Sequence, residues 1–145
     1  MTRRSHKVPT DAGMQRTPED NYIRKAELIR VIDGDTVELR VDLGFRTSYT
    51  GPFRLARINA PKLGDADGRG VDAAVALSGL LTSELFSSGT GVSKHIWIRS
   101  HKRGKFRYLA EIYVAIDGGI RFVSDVMVSL GHAKYWSGYG PKPGE

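Results

Sequence analysis

Short stretches in which apolar and polar residues alternate occur along much of the chain, and this alternation is typical of half-buried β-strands. The clearest stretch is residues 36–41, where Val37, Leu39 and Val41 occupy every second position. Together with runs rich in β-branched and aromatic residues, the pattern predicts five strands, at residues 22–32, 36–41, 53–58, 95–99 and 108–116. Turns rich in Gly, Asp or Pro separate them, so we expect a mainly β domain.

Two other stretches repeat their apolar residues at helical spacing. Residues 72–86 combine this spacing with good helix formers and are followed by Gly89, and residues 123–130 form a shorter amphipathic segment that stops at Gly131. The resulting order is three strands, a helix, two strands and a helix. It predicts an α+β, mainly β fold: a five-stranded Greek-key barrel of the oligonucleotide-binding (OB) type, with a helix after the third strand and a short C-terminal helix.

The two ends of the chain lack a sustained period and contain several Gly and Pro residues. We therefore expect a flexible arm over residues 1–20, one domain over 21–137 and a flexible tail over 138–145. No apolar run approaches the ~20 residues that a membrane span requires, and no apolar stretch follows the basic N-terminal residues. We expect a cytoplasmic monomer without a membrane segment. The absence of cysteine excludes disulfides, thiolate nucleophiles and cysteine-containing metal sites.

Basic residues are concentrated in one part of the chain. Lys and Arg number 22 against 16 for Asp and Glu, and the segment from Lys94 to Arg107 contains six basic residues and no acid, so the rest of the chain is balanced. These six are Lys94, Arg99, Lys102, Arg103, Lys105 and Arg107. A local positive excess attracts polyanions, which points to DNA or RNA as a partner. The alternative is a solvated loop between two strands.

Carboxylates and arginines stand where strands meet turns. Asp33 and Asp35 flank Gly34 at a strand–turn–strand junction; paired carboxylates suit a hard cation, although a tight hairpin turn also uses Asp and Gly. Arg54 lies within an apolar strand, where it needs an anion or a carboxylate unless its side chain extends along the barrel wall. Arg107 stands where the basic turn enters the last strand. Together these residues indicate a phosphate clamp beside a cation.

Five motifs follow one another along the chain: Val31-Ile32-Asp33-Gly34-Asp35-Thr36-Val37, Phe53-Arg54-Leu55 leading to Asn59-Ala60-Pro61, Gly70-Val71-Asp72-Ala73, Arg107-Tyr108-Leu109-Ala110-Glu111-Ile112-Tyr113 and Leu130-Gly131-His132-Ala133-Lys134. Together they resemble the staphylococcal nuclease (thermonuclease-like) family in order and spacing, from about residue 22 to residue 139. The segment 42–45 is similar to small phage-type members, which implies a phage-encoded protein acting in a host cell.

The resemblance implies an OB barrel that acts as an endonuclease and hydrolyses the phosphodiester bonds of DNA and RNA with calcium. It implies these roles: metal ligation by Asp35, its acidic neighbour Asp33, Asn59 and the main-chain carbonyl of Ala60; a grip on the scissile phosphate by Arg54 and Arg107; and an aromatic ring lining the nucleotide pocket at Tyr139. Asn59 can ligate calcium through its amide oxygen, with one negative charge fewer than an aspartate.

Lys62 occupies the position at which the family has a glutamate regarded as the general base, so it joins the catalytic candidates. A lysine ammonium is protonated at neutral pH and cannot take a proton from water. Three accounts stay open. The ammonium neutralises the phosphate and partly replaces the metal, or Asp65 or Asp67 acts as the base, or the protein is a catalytically inactive OB-fold nucleic-acid-binding module. A protein-interaction barrel is a further class. His101 is the only histidine near the candidate site.

Overall fold

The structure of the protein is a computed structural model, and it describes residues 19–84, 91–103, 107–138 and 141–143. Most of the predicted N-terminal arm and part of the predicted tail lie outside these ranges. Within them the chain forms twelve regular elements, in this order: β1 (Ile23–Asp33), β2 (Thr36–Gly44), β3 (Thr47–Leu55), β4 (Ile58–Asn59), α1 (Arg69–Leu81), β5 (Thr82–Glu84), β6 (Gly91–Ser93), β7 (Ile96–Arg103), β8 (Tyr108–Ile116), β9 (Gly119–Phe122), α2 (Val123–Ser129) and β10 (Lys134–Tyr135).

Five long strands close into a barrel. β1 pairs with β2 and β7, β2 pairs with β3, and β7 pairs with β8, all antiparallel, and a parallel pairing between β3 and β8 closes the ring. The second half of β8 pairs with β9. This is the strand order of an OB-type Greek-key barrel, with α1 between its third and fourth strands and the short α2 near the C-terminus. The predicted fold class, α+β and mainly β, is confirmed.

The barrel interior is filled by the inward-facing residues of each strand. On β2 these are Val37, Leu39 and Val41, which alternate as the sequence predicts and are all buried. The other barrel strands contribute further buried side chains: Phe53, Leu55, Ile96, Ile98, Ala110, Ile112 and Val114. Helix α1 adds three buried residues spaced four apart, Ala73, Leu77 and Leu81. Because these side chains point inward, the residues between them form the outer face of the barrel, where the candidate site lies.

The β2–β3 hairpin extends further than the sequence predicts. Residues 42–52 are expected to form a turn or bulged connection, but β2 continues to Gly44 and β3 begins at Thr47. Phe45 and Arg46, the two residues between them, both have positive φ, which suits the twist of a tight hairpin. Such turns usually contain Gly, Asn or Asp, so the sequence gives no sign of this one.

The predicted strand over residues 53–58 is wrong beyond Leu55, where β3 ends. Arg57 adopts a left-handed conformation (φ 72°), and the chain then forms the short β4, which pairs with β10. Strand alternation therefore fails in this segment, and three nearly consecutive residues are all buried: Ala56, Ile58 and Asn59. The turn directs the chain back toward the side chain of Arg54.

The other differences concern element ends and short strands. α1 begins at Arg69 and ends at Leu81 rather than spanning 72–86, and Val71 and Val75, which the apolar pattern includes, are exposed. β7 continues to Arg103, so residues predicted as a basic turn belong to a strand. The strands β4, β5, β6, β9 and β10 contain two to four residues each, too few for alternation to be visible. The predicted C-terminal helix is confirmed as α2.

Gly70 allows α1 to lie unusually close to the loop that follows β4. A Cβ added at this position would lie 1.7 Å from the main-chain carbonyl oxygen of Lys62. That oxygen also accepts a hydrogen bond from the N–H of Asp65 (3.1 Å), so the loop backbone is held in place. The glycine thus sets how the loop that contains Lys62 is seated against α1.

We predict that Gly70→Ala lowers the free energy of unfolding by about 3 kcal/mol, because the added methyl group would overlap a backbone carbonyl. Gly79→Ala in the same helix is the matched control. It has nothing within 4 Å of the added Cβ and should raise the stability by up to about 1 kcal/mol. Urea denaturation measures both changes. Equal stability of the Gly70 variant and the natural protein would contradict the close approach.

Candidate functional site

Asp35 lies in the turn between β1 and β2 and is only 5% exposed. Its Oδ1 accepts a hydrogen bond from the Thr36 hydroxyl (2.9 Å), and its Oδ2 accepts one from the N–H of Ala60 (3.0 Å). The same Oδ2 lies 3.4 Å from Nη2 of Arg54. The carboxylate therefore joins three parts of the chain, namely the β1–β2 turn, the end of β3 and the segment after β4.

Arg54 is fixed on one side and open on the other. Its Nη2 donates hydrogen bonds to the carbonyl oxygen of Ile58 (3.2 Å) and to Oδ1 of Asn59 (3.1 Å), in addition to the ion pair with Asp35. The guanidinium lies over the Trp136 ring, with 5.1 Å between Cζ and the ring centroid. Nε and Nη1 form no hydrogen bond within the described ranges. Their N–H groups are therefore available to an anion.

Asp33 contacts the loop that follows β4, and Lys62 belongs to that loop. Asp33, the last residue of β1, accepts a hydrogen bond from the N–H of Leu63 through Oδ1 (3.3 Å) and so holds this loop. Lys62 is exposed, and its ammonium makes no hydrogen bond or ion pair with the part of the chain that the structure describes. The side chain of Lys62 is thus on the surface of a loop whose backbone is anchored at both sides.

One of the two carboxylates that could replace the missing base is occupied by a neighbour. Asp67 accepts hydrogen bonds from the main-chain N–H of Arg69 (3.1 Å) and from its Nε (2.5 Å), and these contacts hold the pKa of Asp67 below its ordinary value. A lower pKa makes a carboxylate a weaker proton acceptor, so Asp67 is poorly suited to activate water. The other carboxylate, Asp65, lines a surface cavity together with Lys62 and Asp67.

The oxygen atoms around Asp35 match the ligands of a hard cation in kind but not in number. The carboxylate of Asp35, the side-chain oxygen of Asn59 and the carbonyl of Ala60 belong to buried residues, and the first two already accept hydrogen bonds. Calcium takes roughly six to eight oxygens. No group of three or more His, Cys, Asp or Glu side chains suited to a metal occurs within the described ranges. These residues therefore fit calcium only if water and phosphate oxygens supply the other ligands.

Arg107 lies just before β8, on the same outer face as Arg54. Ala110 is buried in the barrel, so Leu109 points outward, and continuing the alternation by one residue beyond the start of β8 places the half-buried Arg107 on the same face. Arg54 pairs with Leu109 in the parallel β3–β8 register. Arg107 is thus one strand across and two residues along from Arg54, which corresponds to roughly 8 Å between their Cα atoms. From these positions two arginine side chains can reach one phosphate.

Three of the predicted basic residues, Arg99, Lys102 and Arg103, belong to β7, and Lys94 precedes it. Lys94 donates its main-chain N–H to the last residue of α1 (2.9 Å), and Arg99 donates its Nε–H to the carbonyl of Asn21 (3.1 Å). Arg103 comes nine positions after Lys94, roughly 30 Å along an extended chain. Residues 100–103, which are predicted to form a basic turn, belong to β7, so that prediction is wrong for them. The structure describes only the backbone of Lys102 and Arg103, and two predicted contacts lie outside the described residues, Lys105 and Tyr139.

A second polar cluster, which the sequence prediction missed, lies on the same outer face. Glu111 on β8 is only 6% exposed. Its Oε1 accepts a hydrogen bond from the Tyr113 hydroxyl (2.6 Å), and its Oε2 pairs with Nε2 of His101 on β7. Arg99 is opposite Glu111 in the β7–β8 register. A lone acid within an apolar strand was the available signal, by the same argument that singles out Arg54.

The surroundings of Glu111 determine its protonation. Burial alone raises the pKa of this carboxyl, but the hydrogen bonds from Tyr113 and His101 and the nearby charge of Arg99 outweigh burial, so the pKa of Glu111 lies below its ordinary value. Burial and the adjacent carboxylate raise the pKa of Tyr113. Glu111 is therefore ionised at neutral pH and is the acceptor in both hydrogen bonds.

Comparison with known proteins adds no family assignment: a scan against protein-family models finds no match for this chain, and a search among curated proteins finds no relative. The resemblance to the staphylococcal nuclease family stays a prediction from the motifs. Neither helix within the described ranges is long and apolar enough to cross a membrane.

We predict that Tyr113→Phe lowers the free energy of unfolding by about 1 kcal/mol near neutral pH, because Glu111 loses one of its hydrogen bonds while it stays buried. The folded pKa of Glu111 lies below its unfolded value, so its stabilisation is present above the unfolded pKa and is lost as the pH falls through the folded pKa. The difference between the two proteins should therefore shrink in acid. Urea denaturation from about pH 7 to about pH 2 measures it, and a difference independent of pH would contradict this account.

Proposed function

We propose that the protein is a metal-dependent nuclease that hydrolyses phosphodiester bonds of DNA or RNA at the outer face of β3 and β8. The proposal is carried by the guanidinium of Arg54. Its Nη2 is held by Asp35, Asn59 and a carbonyl oxygen, whereas Nε and Nη1 have no hydrogen-bond partner in the described part of the chain. An arginine that is already fixed binds a phosphate oxygen without first losing side-chain freedom.

Arg107 supports the proposal by adding a second positive charge on the same face. Hydrolysis of a phosphodiester passes through a pentacoordinate transition state with increased negative charge on its non-bridging oxygens. Arginines on two adjacent chain segments stabilise that charge if both are in place before the reaction. The net charge of +6 favours a polyanionic substrate over a small neutral one.

Calcium is the cation that the resemblance implies, and Asp35, Asn59 and the Ala60 carbonyl would hold it together with water and phosphate oxygens. When bound, it supplies Lewis-acid polarisation of a phosphate oxygen. The chain itself does the positioning. Asp35 keeps Arg54 aligned, and Asp33 holds the loop after β4 against the end of β1.

The second candidate function is an OB-fold module that binds nucleic acid without cleaving it. Lys62 favours this function, because an exposed ammonium stands where the resemblance implies a glutamate base. Both candidates require binding that weakens with salt, with a log–log slope of about 0.7 to 0.9 per phosphate contacted. Cleavage that depends on a divalent cation is expected of the nuclease alone.

We predict that Arg54→Lys and Arg107→Lys each lower the rate of plasmid nicking by at least about 10²-fold. At either position a lysine keeps the charge but cannot bind a phosphate through two N–H groups. At position 54 it also cannot bond to Asp35 and Asn59 while it donates to a phosphate. Binding of labelled single-stranded DNA, measured by fluorescence anisotropy, should change little. Arg40→Lys, on the outer surface of β2, is the matched control and should leave both measurements unchanged.

Three results would decide this test. Unchanged nicking by both folded variants contradicts the phosphate clamp. DNA binding without nicking by the natural protein, at every divalent-cation concentration, supports the binding module in place of the nuclease. Nicking that survives Asp35→Ala argues against a cation held at this site. Circular dichroism establishes that each variant is folded.

We predict that Lys62→Glu raises the affinity for calcium by roughly tenfold. Lys62 belongs to the loop that Asp33 holds beside the candidate cation site, and the substitution replaces its positive charge with a negative one. Lys25→Glu makes the same change of charge on the outer surface of β1 and is the control. Titration calorimetry measures both variants. An equal gain in both would show a general effect of net charge and contradict a cation site near Lys62.

A further inference from the structure

His101 and Glu111 form a bonded pair on the outer face of the barrel, beside the arginines of the candidate site. We propose that His101 is the proton acceptor for the water that attacks the phosphate and that Glu111 positions its ring; this inference rests on the nuclease function proposed above. Among the other candidates for this role, Lys62 is a cation, the carboxylate of Asp67 is bonded to Arg69, and Asp65 lies in the exposed loop beside Lys62.

Strand register places His101 and Arg54 on the two sides of Leu109. Arg54 pairs with Leu109 across β3 and β8. Across β7 and β8, Ser100 pairs with Ala110 and Arg103 with Tyr108, so two residues of β7, His101 and Lys102, face Leu109 at a bulge in the ladder. Two interstrand spacings therefore separate His101 from Arg54, roughly 10 Å between their Cα atoms.

The side chains of this row point to the same side of the sheet. Alternate residues of β8 fill the barrel interior, so Leu109 and Glu111 face outward, and His101 lies on that face because it contacts Glu111. Arg107 is two residues before Leu109 and also faces outward. A phosphate bound by Arg54 and Arg107 would rest above the half-buried Leu109, within reach of an imidazole on the neighbouring strand.

Glu111 determines which nitrogen of His101 can accept a proton. The buried carboxylate is ionised and can only accept hydrogen bonds, so Nε2 of His101 carries the hydrogen in their contact. In the neutral ring the lone pair is then on Nδ1, and the histidine side chain is 39% exposed. A carboxylate behind a histidine is the arrangement that holds a general base in one tautomer and one orientation.

The groups around the ring have opposing charges. Glu111 and Tyr113 face it from β8, Arg99 lies on its own strand, and Arg57 lies near Tyr113 from the turn after β3. The imidazole therefore lies in a charged environment that combines one carboxylate with nearby arginines.

In the proposed step, the oxygen of a water molecule attacks phosphorus while one of its protons passes to Nδ1 of His101. The bond between phosphorus and the leaving oxygen breaks, and that oxygen takes a proton from solvent. Arg54 and Arg107 balance the negative charge on the non-bridging oxygens. His101 then returns its proton to solvent, so one phosphodiester and one water yield a phosphomonoester and an alcohol.

The test compares His101→Ala with His95→Ala in the nicking assay; His95 is an exposed histidine just before β7 and outside the site. We expect His101→Ala to lower kcat by about 10²- to 10³-fold with little change in KM, and His95→Ala to leave both unchanged. Added imidazole should restore part of the lost kcat in His101→Ala and have no effect on the control.

The positioning role of Glu111 is tested by combining substitutions. Glu111→Gln removes the charge that keeps the hydrogen on Nε2 of His101, so kcat should fall with little change in KM. In the His101→Ala background the same substitution should lower kcat no further, whereas a merely structural role of Glu111 would lower it in both backgrounds. If Glu111→Gln does not fold by circular dichroism, Tyr113→Phe in the two backgrounds makes the same comparison, because the Tyr113 hydroxyl holds the Glu111 carboxylate.

The outcomes separate this inference from the proposed function. Nicking that is lost in Arg54→Lys but retained in His101→Ala overturns the role of His101 and leaves the nuclease standing. A loss in His101→Ala that appears in KM and is not rescued by imidazole also overturns it, since the ring would then contact substrate without moving a proton. No nicking by the natural protein with any divalent cation overturns both proposals.

Discussion

The ion pair between Asp35 and Arg54 is the contact on which the candidate site depends. The two side chains are 7% and 12% exposed, and a charge at this depth is destabilising unless a partner and further hydrogen bonds compensate it. Compensation comes from three segments that meet only in the closed barrel, namely the β1–β2 turn, the end of β3 and the segment beginning at Ile58. Loss of either partner would leave the other charged and nearly buried. The positions of all three segments are therefore fixed together.

The same requirement accounts for what the sequence could and could not predict of the fold. Alternation identified the barrel strands because one face of each is buried, as in Val37, Leu39 and Val41. It failed after Leu55, because the left-handed turn at Arg57 brings the Ile58 carbonyl back to Arg54, and a contact between residues four apart leaves no periodic pattern. Local composition records which residues can be buried, whereas the turns that satisfy a buried charge depend on partners elsewhere.

The candidate site was predictable to a similar extent. Asp35 was found because paired carboxylates at a turn suit a cation, and Arg54 because an arginine within an apolar strand needs a partner; the structure brings these two together. The same argument applied to Glu111, but its partner His101 lies on another strand beyond a turn, and a bulge after Ser100 decides which residue comes opposite. Residues 100–103 were expected to form a basic turn, although they continue β7. Strand length and register, which the local sequence does not show, made the difference in the two cases.

The two clusters share one design, which ties their chemistry to closure of the barrel. In each, a buried carboxylate fixes a partly exposed partner, Asp35 for Arg54 and Glu111 for His101, and leaves one side of that partner free. The partners belong to strands on the two sides of β8, with Leu109 between them. A slip of one residue in either pairing would turn a side chain from the outer face to the interior. The spacing between a group able to bind an anion and a group able to take a proton is therefore set by the same ladders that close the sheet.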